Sequence, residues 1–435
     1  MFNRMINRLM LVATAVSFTS CLFEEDDIFD LSPAERMNAL QEEYYQALSS
    51  APNGWVMDYF PTREAEGFHF YLSFTPDDAV KVAASNKYLS GDTLSSEVSL
   101  YDVIAGNGPL LTFNTYNSVF HIFSDPKDPE GTPDLDGIGL EGDYEFVILD
   151  IDTDNGIARL KGKKRGTYIN MRMLEDGQSF ESYHMDLKKM QSEIFNSSSP
   201  VPLTFVEGDV VYDASKVVQE NVLQMLEPGK PIGETRSFPF IITLDGLRFQ
   251  HAYKIGNTEY QHFKPNTDYS KLISVESESV YFEAPKPLDF FLQSSTTWSV
   301  DIPTIKGDFK SAYVAMEEEF ATAFKGKRDL LGIQFMIKDN QKSIEMIIRT
   351  ENPSYSRITY PLTIDKGKGT FSMDASDISL DKNATLFYNK LETLKKWVAL
   401  FGTSTFKLSS TNALLMENIT LTSPSIQSNE MLLSR

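Results

Sequence analysis

The fold class is decided by the stretch YEFVILDIDTDNGIARLK, residues 144–161. Two runs rich in β-branched and aromatic residues, 144–151 and 157–161, flank the dipeptide Asn155-Gly156. Asn-Gly between two such runs is the strongest short signal for a β-hairpin, because both residues tolerate the positive φ of a tight turn. The stretch therefore predicts two antiparallel strands joined by a turn.

Similar short runs extend in both directions from this hairpin. Between residues 54 and 173 they are separated by Gly, Pro, Asn and Asp, which predicts a series of short strands without intervening helices. Strands are also expected through most of the second half. Apolar spacing of the helical type predicts helices from Ser32 to 50 and at 181–195, 214–226, 312–324 and 382–401.

The predicted fold class is mainly β with a few helices (α+β), built as antiparallel barrel or sandwich domains. The N-terminal helix, which begins at the capping box Ser32-Pro33-Ala34-Glu35, is expected to pack on the first of them. Residues 31–200 are predicted to form an N-terminal β-rich domain with flanking helices, and 201–435 a C-terminal β-rich region with helices. A division of that region into two subdomains near 295–305 is left open.

Composition excludes several classes of protein. The chain has 435 residues, of which 41% are hydrophobic and 23% charged, which is typical of a globular protein. Its 61 acidic residues against 40 Lys and Arg give a net charge of −21, which repels phosphate backbones, so no nucleic acid partner is expected. The single cysteine excludes a disulfide framework and a cysteine-based zinc site.

The N-terminus has the pattern of an export signal. Residues 1–20 contain Arg4 and Arg8 followed by a short apolar run, which is too short to span a bilayer. The run ends at Phe18-Thr19-Ser20-Cys21 and resembles a bacterial lipoprotein box, so we expect cleavage before Cys21 and lipid attachment to it. The acidic residues that follow predict a solvated tether at 21–30.

Local motifs give no catalytic assignment. The spacing G-x-G-x-x-G at 137–142 precedes a predicted strand instead of a helix, which excludes a dinucleotide site. No cofactor is expected. Calcium is the one ion considered, either at Asp150, Asp152 and Asp154 or in the acidic loop 125–136, and the identity of any metal ligands stays unknown.

Aromatic and histidine residues of a second hairpin are the candidate ligand-binding residues. If Gly256-Asn257 is a two-residue turn, Tyr253 faces Tyr260 and His251 faces His262, and all four side chains share one face. Such a face could line a ligand site or place two imidazoles on one metal ion. Trp298, among Ser and Thr residues, is the tryptophan most expected to be exposed and able to stack on a sugar.

Several longer stretches resemble a Bacteroidetes family of uncharacterised lipoproteins. They are IFDLSPAERM (28–37), APNGWVMDY (51–59), GPLLTFNTYNSVFHIFSDP (108–126), GDYEFVILDID (142–152), LKGKKRGTYINM (160–171) and FGTSTFKLSS (401–410). Proteins of this kind are typically encoded near SusC/SusD-type nutrient importers of the outer membrane. The resemblance implies a surface role in nutrient capture, and it carries over no site residues.

The leading hypothesis from these observations is a lipid-anchored, cell-surface binding or accessory protein of an outer-membrane nutrient-uptake system. Its partners would be the outer-membrane bilayer through the Cys21 lipid, a SusC/SusD-type importer, and a glycan or peptide ligand. Two alternatives stay open: a surface hydrolase acting on glycan or peptide with carboxylates from separate strands, and a structural or adhesive accessory protein.

Overall fold

The computed structural model of the chain describes residues 32–435 apart from 90–92, 107, 132–136, 196–201, 227–229, 232–233, 257, 294–295, 327, 352–354 and 425–428. Within these residues the protein contains 26 strands and six α-helices, and the strands form three antiparallel sheets. The predicted class, mainly β with a few helices and barrel-type antiparallel sheets, is confirmed. The predicted signal peptide, Cys21 and the acidic tether lie outside the described residues.

The first sheet has nine strands. They are β1 (Trp55–Tyr59), β2 (Phe68–Phe74), β3 (Ala79–Ala84), β4 (Ser95–Leu100), β5 (Asp102–Gly106), β6 (Gly108–Thr112), β7 (Glu145–Asp152), β8 (Ile157–Gly162) and β9 (Tyr168–Met173). Their order is β4-β3-β2-β1-β9-β8-β7-β6-β5. The hairpin expected at 144–161 is present as β7 and β8, with Gly156 at φ 64° in its turn.

The first helix, α1 (Pro33–Ser49), closes the first sheet. Its N-terminus has the predicted capping box, in which Ser32 and Glu35 bond each other's backbone N–H. Only Tyr101 separates the two edge strands β4 and β5, so the sheet curls until its edges are neighbours. There α1 forms a hydrogen bond with the edge strand β5: the side-chain amide of Gln41 donates to the carbonyl of Val103 at 2.6 Å. Backbone groups of an edge strand that already have a hydrogen-bond partner are not available to pair with a strand of another chain.

The second sheet is a closed barrel of eight strands, β10 to β17 in sequence order. They are β10 (Pro202–Glu207), β11 (Val210–Lys216), β12 (Val222–Leu226), β13 (Arg236–Thr243), β14 (Gly246–Ile255), β15 (Thr258–Pro265), β16 (Lys271–Ser274) and β17 (Val280–Glu283). Closure through the β10–β17 pair leaves this sheet without an open edge.

The third sheet contains the remaining nine strands. They are β18 (Thr297–Asp301), β19 (Leu330–Lys338), β20 (Ser343–Thr350), β21 (Tyr355–Asp365), β22 (Thr370–Met373), β23 (Ser379–Leu380), β24 (Thr405–Ser409), β25 (Asn418–Thr422) and β26 (Glu430–Ser434). Their order is β20-β19-β18-β26-β25-β24-β22-β21-β23, and β20 also pairs with β21. The pairings of eight of these strands therefore run round in a ring, to which β23 is added.

Five further helices pack on the sheets. They are α2 (Phe180–Ile194), α3 (Pro287–Phe291), α4 (Gly307–Ala323), α5 (Lys382–Lys390) and α6 (Glu392–Gly402). Residues of α2 and of the second and third sheets belong to one continuous apolar core. No helix in the described part of the chain is long and apolar enough to cross a lipid bilayer.

Two helix predictions are wrong. The expected helix at 214–226 is instead parts of β11 and β12, which pair across a turn with Gln219 at φ 63°. Ala214, Leu223 and Met225 are buried in the barrel core, and this burial outweighs their helical spacing. The expected helix at 382–401 is two helices, because Leu391 has extended dihedral angles.

The first sheet docks on the barrel through backbone as well as side chains. The Gly67 N–H donates to the carbonyl of Phe240 at 3.1 Å, and the Asn221 N–H donates to the Glu66 carboxylate at 2.8 Å. A Cβ on Gly67 would lie 2.8 Å from the Cβ of Ile241 and from the ring of Phe60. Glycine at this position therefore permits the close approach of the two sheets.

Replacing Tyr45 by Phe tests the role of α1 in closing the first sheet. The Tyr45 hydroxyl donates to Asp102 at 2.6 Å and accepts from the Val103 N–H at 3.1 Å. We expect Tyr45→Phe to lower the free energy of unfolding by about 1–3 kcal/mol, because it leaves that N–H without its partner. Urea denaturation measures the change. Tyr44→Phe on the same helix is the control, and an equal effect of both substitutions would contradict the assignment.

Candidate functional site

A cleft lies where the first sheet, α2 and the barrel meet. Its volume is about 840 Å³, within the range of about 300–1,000 Å³ that is usual for small-molecule sites. It is lined by Glu66, Gly67, Phe68, His69, Ser85, Asn86, Lys87 and Leu89 of the first sheet, by His184, Leu187, Lys188, Gln191 and Phe195 in and after α2, and by Lys216, Gln219, Asn221, Ile241 and Ile242 of the barrel.

A buried carboxylate, Asp58, joins the two sheets behind this cleft. It lies in β1, whose other residues are apolar, and its side chain is 3% exposed. Arg248 of the barrel pairs with one carboxylate oxygen, and Arg172 of β9 lies 3.8 Å from the same oxygen. The other oxygen is 3.1 Å from Nδ1 of His69. Three basic side chains thus surround one acid.

These partners decide the charge of Asp58. Burial alone would raise the pKa of its carboxyl group. The charges of Arg248, His69 and Arg172 together outweigh burial and hold the pKa of Asp58 well below its usual value. The carboxylate is therefore ionised at neutral pH, and it stabilises the contact between first sheet and barrel.

His69 connects this carboxylate to the wall of the cleft. Its Nε2 lies 2.8 Å from the carbonyl oxygen of Ile242. A carbonyl can only accept, so Nε2 carries a proton and donates it. With Asp58 on one side of the ring and the barrel backbone on the other, the imidazole is fixed in orientation.

His184 places a hydrogen-bond donor in the cleft. The Tyr71 hydroxyl lies 3.1 Å from its Nδ1. Burial, with the nearby positive charges of Lys188 and His69, lowers the pKa of His184 to about 4. Burial raises the pKa of Tyr71 far above neutral, so the hydroxyl keeps its proton. His184 Nδ1 is the hydroxyl's one partner among the described residues, so we assign the hydroxyl as the donor and Nδ1 as the acceptor. Nε2 therefore carries the imidazole proton, and this buried atom has no partner among the described residues.

Asn86 provides a second donor of the same kind. Its side-chain carbonyl accepts from the Tyr88 N–H at 3.0 Å, which fixes the orientation of the amide. The amide nitrogen is buried and has no partner within the described part of the chain. A buried donor left unpaired costs about 1–3 kcal/mol, so water or a ligand is expected to accept from both Asn86 and His184.

Charged side chains surround these donors. Lys87 lies 3.2 Å from the carboxylate of Glu66, and the Glu66 charge outweighs burial and raises the pKa of Lys87. Burial raises the pKa of Glu66 despite its bonds to Lys87 and to the Asn221 N–H. Lys216 donates to the carbonyl of Val217 at 3.0 Å, and burial lowers its pKa. Lys188 lines the opposite wall.

The histidine pair expected in the second hairpin does not form. Tyr253 faces Tyr260 as expected, but between this pair and the pair of Arg248 with His262 there is a bulge, in which four residues of β14 (249–252) lie opposite one residue of β15 (261). As a result Arg248, not His251, faces His262. The expectation that both imidazoles share a metal-binding position is therefore wrong.

The other predicted ligand residues lie apart from the cleft. The His251 ring packs against the Tyr253 ring at a tilt of 37°, with centroids 4.0 Å apart. His262 lies 3.1 Å from the Asp245 carboxylate, while Tyr260 is buried and donates to Glu207 at 2.8 Å. None of the four lines the cleft. Their ligand role stays a prediction.

The expectation that Trp298 is exposed is wrong. The side chain is fully buried, and its ring lies about 6 Å from the rings of Phe290 and Phe291 in the third sheet's core. The Ser and Thr residues beside it in β18 are half-buried, because alternate positions of a strand face opposite sides. A buried ring cannot stack on a ligand from solvent.

No group of three or more His, Cys, Asp or Glu in the described residues is positioned to hold a metal ion. At the calcium position considered in the first hairpin, Asp152 instead accepts from the backbone and side chain of Asn155, at 3.0 and 2.6 Å. Residues 132–136 of the second calcium position lie outside the described residues.

Sequence reasoning missed the cleft residues because they come from three distant segments. Two local signals in the sequence nevertheless point to the region, one behind the cleft and one in its wall. Asp58 is a charged residue inside the apolar run WVMDYF, and a buried charge requires partners. His184 and Lys188 are four residues apart, which places both on one face of α2.

Replacing Asp58 by Asn tests whether this carboxylate holds the two sheets together. At pH 7 we expect Asp58→Asn to lower the free energy of unfolding by about 3–5 kcal/mol, because Arg248 and His69 lose a buried counter-charge. Because the pKa of Asp58 is lower in the folded protein than in the unfolded chain, its charge stabilises the fold at pH values above the unfolded pKa of about 3.9. This stabilisation is lost progressively as the pH falls below that value. The difference between variant and wild type should therefore narrow below pH 4 in urea denaturation.

Asp186→Asn, on the exposed face of α2, is the matched control for this measurement. We expect it to change the free energy of unfolding by no more than about 0.5 kcal/mol. A constant difference between Asp58→Asn and wild type from pH 7 to pH 3 would contradict the assigned role of the Asp58 charge.

Comparison with known proteins places the chain in a family. Solved structures that match include sliding clamps of DNA polymerase from Pseudomonas aeruginosa (9% identity, 92% of this chain and 98% of that chain, TM-score 0.14) and Bacillus subtilis (10%, 92% and 96%, 0.14). At these TM-scores the likeness carries no argument. No curated protein is significantly similar in sequence.

The sequence profile of DUF4302, a domain of unknown function, matches residues 25–267, which include every lining residue of the cleft. Because that range is more than half of the chain, the protein belongs to the DUF4302 family.

Proposed function

We propose that the protein is a lipid-anchored, cell-surface ligand-binding component of an outer-membrane nutrient-uptake system, and that the cleft between first sheet, α2 and barrel is its binding site. The observation that carries the proposal is the pair of buried donors, His184 Nε2 and Asn86 Nδ2, which belong to side chains that line this cleft and which have no partner among the described residues. Buried donors are normally paired, and a bound ligand would pair them.

The remaining walls suit a small organic ligand. Phe68, Leu187 and Ile241 provide apolar surface, while lysine, glutamine and asparagine side chains provide polar groups. Most small-molecule sites combine apolar walls with a few fixed polar groups in this way. His69 and the Asp58 carboxylate hold one wall in place before any ligand arrives, which lowers the cost of ordering the site on binding.

The cellular setting of the proposal comes from the N-terminal sequence. The lipoprotein box at Cys21 and the acidic tether support export and lipid attachment. The resemblance to Bacteroidetes lipoproteins encoded near SusC/SusD-type importers supports a role beside such an importer, with a glycan or peptide as the captured nutrient.

A ligand screen tests the binding function. The soluble body, residues 28–435, is examined by thermal shift against neutral glycans, acidic glycans and peptides, with product analysis of the same samples. Bound ligand raises the melting temperature, because it stabilises the folded state by RT ln(1 + [L]/Kd). Gln191→Trp, an exposed residue that lines the cleft, should remove the shift by filling the site.

The matched control is Asp186→Trp, an exposed residue of the same helix that does not line the cleft, and it should keep the shift. Product formation would replace binding by hydrolysis as the function. If no member of the panel shifts the melting temperature, the proposed ligand-binding function is wrong and an accessory role in assembly takes its place.

Replacing Cys21 by Ser tests the proposed location. We expect the wild-type protein in the outer-membrane fraction and accessible to protease added to intact cells. Cys21→Ser should move it to the soluble fraction, because the thiol that accepts the lipid is lost. Residues 28–435 should be cleaved equally in lysates of both strains, which is the control for protease sensitivity. A wild-type protein in the cytoplasmic fraction would contradict the location.

A further inference from the structure

We propose that the ligand of the cleft is a short oligosaccharide that carries uronate carboxylates, an inference that rests on the proposed binding function. Two buried side-chain nitrogens of the cleft residues, one on His184 and one on Asn86, have no hydrogen-bond partner in the described part of the chain, and we assign both as donors. His184 Nε2–H and the Asn86 amide N–H groups are buried, fixed in orientation and without partners in the described part of the chain. A ligand that matches them presents acceptors.

The charge around these donors favours a negatively charged acceptor. Lys87, Lys188 and Lys216 all line the cleft of a chain whose net charge is −21, so positive charge is concentrated where the chain as a whole is acidic. Glu66 is the one carboxylate among the described lining residues, and it is already bonded to Lys87 and the Asn221 N–H. A hydrogen bond from a donor to a charged acceptor is also about twice as strong as one to a neutral acceptor.

The other polar groups of the wall suit a sugar acid. The side chains of Ser85, Gln191, Gln219 and Asn221 also line the cleft, and each of them can both donate and accept hydrogen bonds. A uronate carboxylate only accepts, and sugar hydroxyls can accept as well as donate. The C–H faces of a pyranose can pack on Phe68, Leu187 and Ile241, which line the cleft between the polar groups.

The test uses trigalacturonate, its trimethyl ester and triglutamate as probes of the soluble body, by isothermal titration calorimetry. The methyl ester has the same sugar backbone without negative charge, and triglutamate has the charge on a peptide. We expect trigalacturonate to bind at least about tenfold more tightly than the ester, which corresponds to one charge-assisted hydrogen bond.

Two variants locate the binding. His184→Ala removes a donor and should weaken trigalacturonate binding about tenfold. Lys188→Glu reverses a charge at an exposed position of the cleft wall, where folding should tolerate it, and should weaken binding by a similar factor. Lys310→Glu, exposed on α4, makes the same change in net charge away from the cleft and should leave the affinity unchanged.

Several results would overturn the inference. They are equal affinity for trigalacturonate and its ester, no binding of trigalacturonate, tighter binding of triglutamate, and trigalacturonate binding that neither His184→Ala nor Lys188→Glu weakens. If a neutral glycan binds and Gln191→Trp abolishes that binding, the proposed function stands and the uronate inference alone fails. If no probe or panel ligand binds, both fail.

Discussion

The ion pair between Asp58 and Arg248 is the interaction on which the arrangement of the molecule depends. It joins β1 of the first sheet to β14 of the barrel, and both side chains are largely buried. The desolvation of each charge is offset by the other and by His69 and Arg172. Such a pair adds little to the net stability of the fold. Its main effect is to fix the position of the first sheet on the barrel, because a displaced first sheet would leave a buried charge unpaired.

The cleft follows from this contact. Once Asp58 is paired, His69 lies between its carboxylate and the barrel carbonyl of Ile242, and Gly67 comes against Phe240. The third wall is α2, which contacts the first sheet through Tyr71 and the barrel loop through the 2.7 Å hydrogen bond from Tyr269 to Glu193. The donors at His184 and Asn86 are thus held by elements that contact one another directly.

The sequence predicted those parts of the fold whose cause is local. The β7–β8 hairpin depends on a short turn flanked by strand-forming residues, and the start of α1 depends on Ser32 and Glu35, three positions apart. The segment 214–226 was misassigned because its apolar residues fit both a helix and a strand. Closure of the barrel, a property of eight strands together, decides between the two.

The candidate site could not be read from the sequence for the same reason. Extending one hairpin register pairs His251 with His262, but a bulge between Arg248 and Tyr253 breaks that register. The cleft draws its residues from the first sheet, α2 and the barrel, so no window of sequence contains it. Asp58 within an apolar strand was the available signal, and it marks the junction beside which the cleft forms.

The most direct test of the central claim, that the junction between first sheet and barrel is the ligand site, is amide hydrogen exchange with and without a ligand identified by binding. The account predicts slower exchange on binding in 85–89, in α2 around His184 to Gln191, and in 216–221. Protection confined to the third sheet, with these three segments unchanged, would contradict it.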